Sequence, residues 1–336
     1  MKIGWILSGG KDVAGARIQG WNMHEYLLKS GIESEIISGP EIMNTDFHFS
    51  KREINEFTNK EFDVILVQKI QSGRNFQFFL DMCKKNNIKV IYIGIDRINL
   101  DFAISCDGII TVSEYIKNQI PEEYQKKVFM VFDGFEHDGE LQKKHNEFKK
   151  FKLVFTSNIV FSKFPQIEHL PKNVSLKIIG PPEKKIKKFA QKLSFNKKGK
   201  IFSDTPYDFE YILWNLNTVD KEILECDVAV IPYPDEILKE NFIIRKSSNR
   251  LIMFMSYGLP VIVSPHPEYK KLIKQGENGF IANNHSEWIK YVEFLRDNPD
   301  KRKEIGQKAR LTVIDKYSLK RQGSLYLNII KKVLKM

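Results

Sequence analysis

The chain has 336 residues, 28% of them charged and 42% hydrophobic, with a mean hydropathy of −0.34. This composition excludes an integral membrane bundle and a disordered chain, and at roughly 150 residues per domain it predicts about two domains. Lys and Arg number 53 against 42 Asp and Glu, a net charge of +11 that suits an anionic partner: nucleic acid, acidic lipid headgroups or a phosphorylated substrate. No stretch approaches the roughly 20 uninterrupted apolar residues of a membrane helix. The opening residues turn polar too soon for a signal peptide. Cys83, Cys106 and Cys226 stand singly, which gives neither a disulfide framework nor zinc spacing, so a cytoplasmic location is expected.

Short Ile- and Val-rich runs alternate with amphipathic stretches, the pattern of β-α-β units around a parallel sheet. In the first half, strands are predicted over 2–7, 36–38, 64–68, 90–94, 108–112 and 128–132. A helix is predicted over 17–29, stopped by Gly31 at the left-handed position past its end. Another runs over 114–119, ended by Pro121. The polar stretch 137–150 reads as an interdomain linker. The alternation then restarts, with strands over 152–157, 175–179, 228–232 and 260–264 and a weaker one over 200–202. Helices over 285–296, 301–317 and 321–335 close the chain. The expectation is an α/β protein of two Rossmann-like, doubly wound parallel-sheet domains.

Several familiar motifs fail on inspection. Asp12 follows Lys11 where a P-loop needs the Ser or Thr that ligates magnesium. Gly9, Gly10 and Gly15 are wrongly spaced for a dinucleotide fingerprint, and the second strand ends on Ser38 where an acid would hold a ribose. What survives is a Gly-rich strand-to-helix turn, read either as a ligand's approach to the backbone or as a plain tight turn. Arg17, just after it, is a candidate to meet a ligand phosphate. His24-Glu25 begins a zinc motif that Leu28 ends, and neither a G-x-S-x-G elbow nor an Asp-x-Asp pair occurs, so no metal or other cofactor is expected. The paired lysines at 184–185, 187–188 and 197–198 lack interleaved aromatics, which argues against nucleic acid.

The informative run is 245–264. Ser247 or Ser248 caps a short helix, Gly258 ends it, and a buried strand follows at once. The helix start gathers free N–H groups, Ser247, Ser248, Asn249 and the cations Lys246 and Arg250, a site suited to a diphosphate. The plainer reading is an ordinary capped helix with two surface cations.

This run, with Glu268-Tyr269 and Gly276-Glu277-Asn278-Gly279-Phe280 after it, resembles the donor half of GT-B glycosyltransferases, family 4 (group 1) in particular. Ile109-Ile110-Thr111-Val112-Ser113, Asp133-Gly134-Phe135 and Ala229-Val230-Ile231-Pro232 carry the resemblance along the chain. It implies two domains facing a cleft: an acceptor-side domain over 1–148, to which a C-terminal helix over 319–336 returns, and a nucleotide-sugar domain over 149–318. It implies hinge closure over the donor, transfer of a sugar from a nucleotide diphosphate to a glycan or lipid-linked glycan hydroxyl, and work in capsule or lipopolysaccharide synthesis at an anionic membrane surface. Donor diphosphate contacts fall on Asn158, Lys163, Lys246, Ser247, Ser248, Asn249 and Arg250. The family's two acids of E-x7-E, for the sugar and the ribose of a retaining enzyme, fall here on Arg245 and Met253, and Glu240 is the substitute from the preceding loop. Lys246 and Arg250 would stabilise the leaving group. Asp96, at a strand end, is a base for inverting chemistry, an orienter of the acceptor, or part of a surface network with Arg97 or Asp101. Two other classes stay open: a non-catalytic relative that binds sugar nucleotide or glycan beside another transferase, and a sugar-nucleotide epimerase.

Overall fold

The computed structural model describes residues 1–137, 139–145, 150–156, 170–181, 209–233 and 241–335. The chain divides into two compact units: Met1–Asp138 with Arg245–Asn249 and Tyr317–Met336, and Gly139–Ile244 with Arg250–Lys316.

The first unit is built on a parallel sheet of order β2-β1-β3-β4-β5-β6: β1 (Lys2–Ile6), β2 (Glu33–Ser38), β3 (Val64–Gln68), β4 (Lys89–Gly94), β5 (Gly108–Thr111) and β6 (Val128–Met130). All of β3 is buried, which is why Val64 to Val67 reads as a continuous apolar run: both faces of a parallel sheet are covered. On one face lie α2 (Lys51–Thr58), α3 (Phe76–Lys85) and α4 (Leu100–Ser105), packed through Phe47, Phe57, Phe76 and Phe79. Ser50 and Glu53 start α2 with a reciprocal capping box. On the other face Trp5, Met23, Leu27, Tyr326 and Ile330 bring together α1 (Asn22–Lys29) and the C-terminal helix, which therefore returns to this unit as expected. After β5 comes the short α5 (Glu114–Lys117).

The expected helix over 17–29 is interrupted. A single α-turn, Ala14–Ala16, leads into a π-turn, Arg17–Trp21, before α1. The widened turn coincides with side chains drawn to fixed partners: Arg17 to Glu136, Gln19 to Asp133, and the Trp21 indole to the Gly9 carbonyl at 3.0 Å.

The second unit carries a parallel sheet of order β12-β11-β10-β7-β8-β9: β7 (Phe151–Thr156), β8 (Val174–Gly180), β9 (Phe209–Leu213), β10 (Val228–Ile231), β11 (Val261–Val263) and β12 (Phe280–Ile281). Among them run α6 (Val219–Leu224), α7 (Asn241–Ile244), α8 (Asn249–Ser256), whose first residue falls in the first unit, and α9 (Pro267–Lys270). Counted from β7, this is the doubly wound order 3-2-1-4-5-6, whose switch point lies between β7 and β10. β9 went unpredicted because Glu210 breaks its apolar pattern, and the strand expected over 200–202 lies outside the described residues. Gly258, at φ +76°, ends α8 as its position suggested.

The closing helices are α10 (His285–Asp297), α11 (Pro299–Val313) and α12 (Leu319–Leu334). Pro299 opens α11, and Ser318 caps α12 by accepting the Arg321 N–H at 3.3 Å, so α11 stops short of the predicted residue 317. The polar stretch read as a linker is anchored where it is described. Lys143 donates its N–H to the Tyr257 carbonyl at 2.7 Å, its ammonium lies 3.7 Å from Asp227, and the His145 ring meets the Gly258 carbonyl at 3.0 Å.

Gly323 lets α12 approach α1 closely, since a Cβ there would fall on the Tyr26 ring. Gly323→Ala is therefore expected to destabilise the chain by about 1–3 kcal/mol through overpacking, outweighing the roughly 1 kcal/mol gained in helix propensity. A fall in the urea midpoint is the readout, and an unchanged midpoint would contradict the close packing.

Candidate functional site

The C-terminal ends of the parallel strands, where open α/β sheets bind their ligands, carry the relevant side chains. Lys69 directly follows β3, and Asp96 stands two residues past β4. Both adopt left-handed backbone, at φ +55° and +59°. For a lysine that conformation costs about 1–2 kcal/mol, and it turns the chain sharply at the sheet edge. The two side chains meet: the Lys69 ammonium donates to Asp96 Oδ2 at 2.8 Å. Lys246 donates to Asp96 Oδ1 at 3.0 Å. The expected Asp96 network with Arg97 or Asp101 is thus replaced by two ammonium groups, and Lys69 went unrecognised in the sequence. Burial works to raise the Asp96 pKa, but Lys246 and Lys69 outweigh it and hold the carboxyl below its ordinary value.

Beside this triad lies a buried carboxyl. Asp133 accepts from Gln19 Nε2 at 2.7 Å and from the Ser247 hydroxyl, and the Tyr326 hydroxyl in turn donates to Gln19 Oε1 at 2.6 Å. Burial first, then Asp96 and Glu136, push Asp133 above the usual carboxylate range against the lowering effect of its two hydrogen bonds. Its raised folded pKa means that the native state holds this proton more tightly than the unfolded chain. Asp133 therefore withdraws stability as pH rises from about 4 through that raised value. Asp133→Asn retains the shape: Gln19 still donates to Oδ1, and Ser247 accepts from the new amide. Its Tm advantage over the natural chain is expected to grow from pH 4 upward and then level off. A pH-independent difference would contradict the buried, proton-retaining carboxyl.

The Gly-rich turn is braced by side chains. Gln68, fully buried at the end of β3, accepts from the Ser8 N–H at 3.1 Å and donates to the Gly15 carbonyl at 2.6 Å. Arg17 donates to both oxygens of Glu136, at 2.6 and 3.0 Å, and to the Lys11 carbonyl at 2.7 Å. Its guanidinium, expected at a substrate phosphate, is engaged in holding this turn. A Cβ on Gly9 would collide with Val13, whereas Gly10 and Gly15 have ordinary clearance. Gly9 thus serves the closeness of the turn.

In the run 245–250, Ser248 is buried immediately before α8, while Ser247 gives its hydroxyl to Asp133. Ser248 therefore occupies the capping position. Asn249 donates to the Gly134 carbonyl at 3.4 Å. Arg245 lies over the Tyr115 ring at 5.8 Å, and its buried Nε has no hydrogen-bond partner. In the second unit, Arg250 lies over the Phe155 ring at 5.6 Å, and its buried Nη1 likewise has none. Among the described residues these are the two half-buried arginines that make no hydrogen bond or ion pair. Asn158, Lys163 and Glu240 lie outside the described residues.

Two marks of the resemblance have structural roles here. Asn278, in the turn before β12, accepts from the Lys274 N–H at 2.8 Å and donates to the Leu272 carbonyl and the Thr312 hydroxyl at 3.0 Å each. Glu268 pairs with Lys271 at 2.6 Å. Among the described residues no group of three or more His, Cys, Asp or Glu side chains is placed to hold a metal ion.

Residues 228–327 match the family described as Glycosyl transferase-like. No curated protein sequence matches the chain. Among solved structures, Anabaena Alr3699/HepE in complex with UDP and glucose is similar at a TM-score of 0.66 and 12% identity, over 98% of each chain. A glycosyltransferase from Rickettsia africae ESF-5 gives 0.66 and 14%, over 99% of this chain and 98% of that one. The lipopolysaccharide outer core galactosyltransferase WaaB, in its apo form, gives 0.60 and 14%, over 99% of each. With its two doubly wound sheets and returning C-terminal helix, the chain has the GT-B fold of these solved structures, and within it residues 228–327 resemble the glycosyl transferase-like family.

Proposed function

We propose that the chain is a glycosyltransferase that moves a sugar from a uridine diphosphate donor to a hydroxyl of a glycan or lipid-linked glycan. The observation that carries this reading is the run 246–250, where a helix start follows Lys246 and Arg250 has buried donor capacity that no group among the described residues uses. The solved complexes of HepE with UDP and with UDP-glucose support the choice of nucleotide, and WaaB supports a place in surface polysaccharide synthesis, capsule or lipopolysaccharide.

In this reading the acceptor oxygen bonds to the anomeric carbon as the bond from that carbon to the diphosphate breaks. Negative charge grows on the departing phosphate, where Lys246, Arg250 and the α8 N–H groups stabilise it without a metal ion. Both carboxylate oxygens of Asp96 are held by lysines and its pKa is lowered. That makes it a weak proton acceptor. Asp96 then orients Lys246, and retaining chemistry fits better than inverting, with the acceptor proton passing to the leaving phosphate oxygen. The net charge of +11 suits work at the inner, anionic face of a cell membrane, and no helix among the described residues is long and apolar enough to cross one.

Incubation with UDP-glucose and UDP-galactose, alone and with surface-glycan oligosaccharides, tests the reading. Acceptor-dependent release of UDP with a new glycosidic product is the expected result. Binding without turnover would favour a non-catalytic sugar-nucleotide partner, a reading sustained by Arg245 and Met253 at the two acidic positions of the family pattern. Interconversion of the free donor would instead indicate an epimerase.

A further inference from the structure

Among the buried and half-buried cations at the edge of the first sheet, Arg245 stands apart. Lys69 and Lys246 are both held by Asp96, and Arg17 is held by Glu136. Arg245 is half-buried, lies over the Tyr115 ring, makes no hydrogen bond or ion pair among the described residues, and keeps an unpartnered N–H on its buried Nε. A guanidinium over an aromatic face is restricted in orientation while its own plane stays open. The groups that satisfy such a fork in its plane are oxyanions, and a carboxylate matches it bidentately.

We propose that Arg245 is the receptor for a carboxylate on the substrate, so that the chain handles an acidic sugar of the uronic type. This rests on the sugar-transfer reading above, in which Lys246, Arg250 and the start of α8 take the diphosphate and leave Arg245 to a different group. The carboxylate belongs either to the transferred sugar or to the acceptor, and Arg245 recognises the same chemistry in both. The Tyr115 ring, 5.8 Å from the guanidinium carbon, limits how Arg245 can turn. A lysine at 245 would keep the charge and lose the fork, so its selectivity would be only partial.

The test is calorimetric titration of the full chain and of Arg245→Met and Arg245→Lys. The probes are UDP, UDP-glucose, UDP-glucuronic acid, and free glucuronate against free glucose. The natural chain is expected to prefer the acidic probe by about tenfold or more in at least one pair. Arg245→Met should erase that preference and Arg245→Lys should retain part of it, with UDP affinity equal in all three. Preference within the UDP-sugar pair assigns the carboxylate to the donor, and preference confined to the free sugars assigns it to the acceptor. Equal affinities for acidic and neutral probes would overturn the proposal. So would a loss of UDP affinity in Arg245→Met, which would make Arg245 a diphosphate ligand. If UDP binds to none of the three, the transferase reading falls, while the free-sugar pair still decides the role of Arg245.

Discussion

Arg250→Ala is expected to lower turnover of a uridine diphosphate sugar by about 10²–10³, the loss typical of removing one preorganised donor from a developing negative charge. Folding stability should barely change. Arg250 makes no hydrogen bond or ion pair among the described residues, and its lie over Phe155 and its charge near Tyr269 are what is lost. The same substitution at Lys246 is harder to interpret, because it also removes one of the two cations on Asp96. Steady-state kinetics with saturating donor separates the terms. A fall in kcat with kcat/KM marks charge stabilisation in the transition state, and a rise in KM alone marks uniform donor binding. Unchanged kinetics would remove Arg250 from the site.

The second large effect is structural. Lys143 and Asp227 form an ion pair at 3.7 Å in the second unit, with both side chains about 1% exposed. Burial pushes Asp227 up and Lys143 down, each opposed by its partner's charge. Asp227 also accepts the Lys152 N–H at 2.9 Å, and Lys143 donates to the Leu224 carbonyl at 3.0 Å. Asp227→Ala takes the Asp227 carboxylate away from the buried Lys143 ammonium, and a loss of about 3–5 kcal/mol is expected in urea unfolding at pH 7. The paired change Lys143→Met with Asp227→Leu should recover most of that loss, because two apolar groups incur no charge desolvation. A single variant within 1 kcal/mol of the natural chain would show that the ammonium reaches water.

The fold was legible wherever parallel-sheet burial leaves a local trace. The runs Val64 to Val67 and Val228 to Ile231 are apolar throughout because both faces are covered, and Gly31 and Gly258 mark helix ends by their left-handed backbone. The π-turn over Arg17–Trp21 left no such trace, since the contacts of Arg17, Gln19 and Trp21 are with residues elsewhere in the chain. The site was legible only in part for the same reason. The hydroxyls and cations of 245–250 are contiguous and readable as a group. The pairing of Asp96 with Lys69 and Lys246 spans 27 and 150 positions, and that of Asp133 with Ser247 spans 114. Strand order brings Lys69 and Asp96 together, and no periodicity in the sequence announces it. The braces of the Gly-rich turn, Gln68 and Arg17, were hidden likewise, which is why a structural arginine resembled a phosphate ligand.

The central claim is that 246–250 holds a nucleotide diphosphate. Thermal unfolding of the natural chain and of Arg250→Ala against UDP, GDP, CMP, ADP and dTDP tests it most directly. At one hundred times its Kd a single nucleotide should stabilise the natural chain by about 2.7 kcal/mol. UDP is the nucleotide expected, with most of the shift absent in Arg250→Ala although that variant alone unfolds where the natural chain does. No shift with any nucleotide, or an equal shift in both chains, would contradict the assignment of the diphosphate to this run.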